Sequence, residues 1–150
     1  MSVPADLDND VRVALYRFFV EHGRPPVAAE IAGTLDVRPV DVEDAFRRLH
    51  DAHVIVLAPG TPYVWMANPL SALATPYRAT VGDRSYWANC VWDALGVVAM
   101  LGATGRAEAK CGDCGDDLAI DVNEGRLSVT DHIVHYAVPA AHWWEDIGFN

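Results

Sequence analysis

In the first fifty residues apolar side chains recur three and four apart, whereas later they fall in short bursts between prolines, glycines and turn residues. That change of period confines the chain to an α+β arrangement, because a helical stripe and a pleated strand bury their apolar faces differently. "DNDVRVALYRFFVEHG" sets Val11, Leu15, Phe18 and Phe19 at helical spacing, with Asp8 or Asn9 to cap its start and Gly23 to end it. "PPVAAEIAGTL" opens on prolines, which suit a first helical turn, and runs on through Ile31 and Leu35. "DVRPVDVEDAFRRLHDAH" gives a third helix, with Val42, Phe46 and Leu49 on one face. "VIVLAPGTPYVWMA" reads as two short strands around a Pro-Gly turn. Three helices and a hairpin make a winged-helix-like pattern, assigned to residues 1–67.

Residues 68–150 have a different texture. Pro69 and Pro76 in "NPLSALATPY" mark a linker. "GDRSYWANCVWDALGVVAMLG" is the strongest helix of this half, bounded by Ser85 and Gly102. "RAEAKC", "DDLAIDVNEGRLSV" and "DHIVHYAVP" read as strands, with Asn123-Glu124-Gly125 as a turn. "AAHWWEDIGFN" is a short aromatic tail. The expected arrangement is a small mixed β-sheet around one central helix. A length of 150 residues suits one compact domain or two very small ones.

Charge removes whole classes of partner. The net charge is −10. Residues 1–67 carry six Arg against ten acids, and residues 68–150 carry five basic residues against eleven acids. Neither half offers the basic face that phosphate binding needs. A recognition helix reads bases with its N-terminal part. Here that part holds Asp41, Glu43 and Asp44, and Arg47 and Arg48 come late. No nucleic-acid partner is therefore expected. No apolar run approaches the roughly 18 residues of a membrane span. "MSVPADLDND" is acidic and lacks the apolar core of a secretory signal. Three cysteines give no disulfide framework. Free thiols in a reducing cytoplasm are the simplest expectation.

Three groups of residues carry possible chemistry. Cys111 and Cys114 in "KCGDCGDD" form half of a zinc knuckle, with His132 and His135 in "DHIVHY" as the other half. Against that, residues three apart on a strand face opposite ways. The tail combines His142 with Glu145 and Asp146, but adjacent tryptophans more often dock such a segment onto a core. In "YWANCVWDAL", Cys90 and Asp93 lie three apart, on one helical face with Tyr86 and Val97. A neighbouring carboxylate raises a thiol pKa, so this pair does not resemble a hydrolase nucleophile, which a cation activates. The pair can instead share a proton while the thiol captures a soft electrophile.

At these residues the chain resembles the organomercurial (alkylmercury) lyase family. The likeness rests on "ANPLSALATPY", "NCVWDALG", "CGDCG" and "VHYAVPAAHWWEDIGF", together with the N-terminal pattern. It implies protonolysis of carbon–mercury bonds with no metal cofactor. Cys90 matches the first catalytic cysteine, Asp93 the proton-shuttling aspartate, and Cys111 a further cysteine usually regarded as structural. The family's second catalytic cysteine is expected just after the aromatic tail, where this sequence reads "IGFN". Cys111, Cys114 or a cellular thiol would then have to supply the second sulfur. Tyr86 and Trp92 are the candidate pocket residues. The implied partners are an organomercurial or another soft electrophile, and cellular thiols. The competing readings are the same fold turned to another reaction such as natural-product biosynthesis, soft-metal binding without turnover, a winged-helix regulator, and a structural zinc protein.

Overall fold

Helix α1 (Ala5–His22) buries Val11, Leu15 and Phe19, while Phe18 lies at the edge of that stripe and stacks on His22 at 3.9 Å. The computed structural model describes residues 5–129 and 131–148. Gly23, at φ +69°, closes the helix with its N–H on the Phe19 carbonyl at 2.8 Å. Asp8 and Asn9 are not caps, because the helix starts before them. Asp8 instead holds Arg48 across the interface with α3 at 2.6 Å.

Helix α2 (Ala28–Leu35) begins after the two prolines rather than on them. Glu30 reaches back to accept the Val27 N–H at 2.9 Å and pairs with Arg24 at 2.7 Å. Those two contacts, the arginine first, hold its carboxyl down to about 2. Helix α3 (Pro39–Asp51) buries Val42, Ala45, Phe46 and Leu49 against α1 and α2. The arginines on α3 are engaged: Arg47 with Asp44 and Glu43, Arg48 with Asp8.

Strands β1 (Val56–Leu57) and β2 (Val64–Ala67) form the expected hairpin. The stretch expected as a linker adds a third strand, β3 (Leu70–Ser71), to the same sheet. Tyr16 donates its hydroxyl to the Asn68 carbonyl at 2.8 Å, tying the β2–β3 turn to α1.

The second sheet runs in the order β5-β4-β6-β7-β8, with β4 (Arg78–Val81), β5 (Arg84–Trp87), β6 (Gly105–Lys110), β7 (Asp117–Asn123) and β8 (Arg126–Leu127). All its pairings are antiparallel, so the mixed sheet expected from sequence is corrected. Short connections join β4 to β5, β6 to β7 and β7 to β8, and the one helical crossover carries the chain from β5 past β4 to β6, so no neighbours are parallel. Gly105 lies so close to the Thr80 carbonyl that a Cβ would have no room.

Helix α4 (Val91–Met100) packs on β4 and β6 and buries Ala94, Val97 and Val98. It starts at Val91, not at Ser85. Gly82, at φ +61°, turns the chain, and residues 84–87 pair with β4 instead. Tyr86 is therefore a buried strand residue, and its hydroxyl donates to the Val20 carbonyl at 2.9 Å.

The strand expected in "DHIVHYAVP" is absent from residues 131–139. The apolar side chains there find no sheet edge. Ile133 is 90% exposed, and residues 135–138 line a cavity. A 3₁₀ helix, Ala140–Glu145, follows with no buried residue. No described helix is long and apolar enough to cross a membrane.

Candidate active site at the start of helix α4

Cys90 is the N-cap of α4 in extended backbone, φ −148°, and its sulfur accepts the Asp93 N–H at 3.4 Å. A cysteine in the place of the usual serine or aspartate is a weak cap, because sulfur is a poor acceptor. It does put a thiol where helix N–H groups converge, a setting that normally lowers a thiol pKa. Here burial outweighs it. Burial pushes the Cys90 thiol up, and the Asp93 charge and a hydrogen bond to its carboxylate push the same way, against the N–H groups of Asp93 and Trp92.

Asp93 is raised as well. Burial is the main cause, opposed by hydrogen bonds from the Asn89 amide and the Cys90 thiol. Asn89 Nδ2 donates to Asp93 Oδ2 at 3.2 Å and to Asn68 Oδ1 at 2.9 Å. Asn89 Oδ1 is buried with no hydrogen-bond partner among the described residues. The spacing between Cys90 and Asp93 thus gives the expected adjacency, but through an N-cap rather than a shared helical face.

Both side chains open into a cavity of about 530 Å³. Its walls come from three parts of the chain. Strand β2, the β2–β3 turn and the segment after it bring Trp65, Asn68 and Thr75. The start of α4 brings Asn89, Cys90, Trp92 and Asp93. The tail brings His135, Tyr136 and Trp143. Tyr136 and Trp143 pack with ring centroids 5.3 Å apart, and the Trp143 indole donates to the Val138 carbonyl at 2.8 Å. Burial, with Cys90 and Asp93 nearby, raises the Tyr136 hydroxyl. An aromatic wall beside two acids whose pKa values burial raises suits an organic ligand carrying one soft atom.

The remaining candidates fall as follows. Trp92 lines the cavity while 62% exposed, which places it at the rim. Tyr86 is not among the lining residues. Cys111 and Cys114 sit in the β6–β7 turn, and neither lines the cavity. His135 lines it, whereas His132 pairs with Asp131 at 3.0 Å on the surface. No three His, Cys, Asp or Glu side chains among the described residues group as a metal site. His142 pairs with Glu145 at 2.6 Å, exposed and outside the lining. Trp144 stacks on His53 at 3.8 Å, so the tail docks against the end of α3.

Sequence reasoning missed Asn89, Asn68 and Tyr136. Asn89 had a usable signal, since it directly precedes the cap. Asn68 and Tyr136 lie in irregular segments whose path no periodicity encodes.

The model of the alkylmercury lyase family matches residues 70–149, just over half of the sequence. A solved structure described as the mercury-bound form of MerB2 superposes with a TM-score of 0.66 at 19% identity. The match covers 87% of this chain and 62% of that one, so the chain spans less than two thirds of that protein's length. At this identity the likeness is one of fold. No curated protein matches.

Proposed function

Because the chain belongs to the alkylmercury lyase family, we propose that it cleaves carbon–mercury bonds by protonolysis in the cavity over Cys90 and Asp93. The observation that carries this reading is the pair itself. A thiol and a carboxyl, both pushed toward their protonated forms by burial, share one cavity with an aromatic wall.

The chemistry follows from which group holds the proton. An organomercurial R–Hg–SR′ meets the Cys90 thiol, and a new Hg–S bond replaces the bond to the carrier thiolate. The Cys90 proton passes to Asp93, and R′S⁻ leaves to solvent. Protonated Asp93 then delivers that proton to the carbon, releasing R–H and regenerating the carboxylate. Hg(II) remains on the Cys90 sulfur, and a thiolate from solution takes its second position. Asn89 steadies the carboxylate that receives and returns the proton. The aromatic wall of Trp65, Tyr136 and Trp143 suits the hydrocarbon part of the substrate.

The test is turnover. Phenylmercury is incubated with the chain and excess monothiol, and benzene release is followed. Release is expected, abolished in Cys90→Ser and reduced at least about hundredfold in Asp93→Asn, the scale of a lost general acid. Phenylmercury retained without benzene release would reduce the activity to soft-ligand binding and overturn the lyase reading.

A further inference from the structure

The turn joining β6 to β7 holds two more thiols, and the chemistry above uses neither. Lys110 and Asp117 form the last rung of the ladder, and their side chains are ion-paired. Beyond them, the Cys111 N–H donates to the Asp116 carbonyl at 2.8 Å, and the Cys111 carbonyl accepts from the Gly115 N–H at 3.0 Å. Gly115 sits at φ +75°, which a side chain would strain. The loop closed in this way keeps Cys111 and Cys114, three residues apart, on one turn, and the Cys114 and Asp113 N–H groups, with the Cys114 thiol, lower the Cys111 thiol pKa. Both cysteines are free, Cys114 is exposed and Cys111 partly so. A Cβ on Gly112 or Gly115 would meet nothing within 4 Å, so the space beside those glycines is open.

Two free cysteines three residues apart on one hydrogen-bonded turn are arranged for a soft cation. Metal–sulfur bonds of about 2.3 Å let both reach one ion with small side-chain rotations. Structural zinc takes four ligands, and no group of three ligating side chains exists among the described residues. Two thiolates alone satisfy a d¹⁰ ion that accepts two-coordination. We propose that Cys111 and Cys114 form a two-thiolate site for such a thiophilic cation, Hg(II) or Cu(I), outside the cavity. Loading is ligand exchange: two bonds to carrier thiols are replaced by two bonds to the cysteine sulfurs, and the two cysteine protons leave on the released thiols. Cys90 plays no part, so this site and carbon–mercury cleavage stand or fall separately.

The experiment uses freshly reduced Cys90→Ala chain and inorganic Hg(II) presented as its glutathione complex. Retained metal is measured by mass spectrometry, and the thiolate-to-metal absorption band is followed during titration. One ion per chain is expected, with Cys111→Ser and Cys114→Ser each weakening retention about a hundredfold, the scale of a lost intramolecular second contact. Both serine variants are checked by circular dichroism. Complete loss of the ion to glutathione in Cys90→Ala, or undiminished retention in both serine variants, would overturn the site.

Discussion

Asp93 is where the demands of folding and of chemistry diverge. Its pKa is raised, chiefly by burial, so the folded chain holds this proton more tightly than the unfolded chain does. The resulting stability is fully present below the ordinary carboxylate range, near about pH 4, and is lost as pH rises through that range to the raised folded value. Once ionised, Asp93 leaves the folded state with a poorly solvated negative charge that the hydrogen bond from the Asn89 amide offsets only in part. Asp93→Asn removes the charge and keeps the shape. The variant is expected to melt above the parent at about pH 7, with the gap closing at about pH 3. Thermal melts at both pH values decide it. A gap of equal size at the two would show that the carboxylate is not destabilising when charged.

At the scale of elements, the segment 131–148 completes the cavity without being part of the core. Its 3₁₀ helix buries nothing. It is held by Trp144 on His53, and by Gly148 against Trp65, where a Cβ would lie 2.6 Å from the ring. Gly148→Ala forces that ring edge or the tail to move, since the atoms a Cβ would meet belong to the Trp65 side chain. The strain falls on a part that can open alone. Faster proteolysis within 131–148 and faster maleimide labelling of Cys90 are expected, with little change in the global melting temperature. Unchanged cleavage and labelling would mean that the tail does not govern access.

The same contrast explains what could be read from residues alone. The helices were legible because Val11, Leu15, Phe19, Val42 and Phe46 repeat at 3.6 and are all fully buried. The adjacency of Cys90 and Asp93 was legible from spacing. The start of α4 was not, because the apolar residues of "RSYWANC" fit a helix or a strand, and pairing with β4 decided the matter. The tail's route across the cavity depends on contacts with Trp65 and His53, which lie far away in sequence.

For the whole molecule, the issue is whether the helical start and the sheet that follows unfold as one. A single cluster of buried side chains runs from Val11 to Val122. Polar ties cross between the parts as well: Tyr86 and Arg84 donate to carbonyls at the end of α1, and Tyr16 donates to Asn68. Phe46, fully buried on α3, is the side chain on which to test this coupling. Phe46→Ala should cost about 3–5 kcal/mol, and for a chain of this size that lowers the melting temperature by on the order of 10 °C. The five tryptophans lie at positions 65, 87, 92, 143 and 144, all beyond the first three helices, so their fluorescence reports chiefly on the strands, the cavity and the tail, with Trp144 also sensing the end of α3. Far-UV circular dichroism is dominated by α1, α2 and α3. If the parts are one cooperative unit, both signals fall together in the parent and shift by the same amount in Phe46→Ala. A shift confined to circular dichroism would mean that the helical part unfolds by itself, leaving the Cys90–Asp93 cavity standing on the second sheet alone.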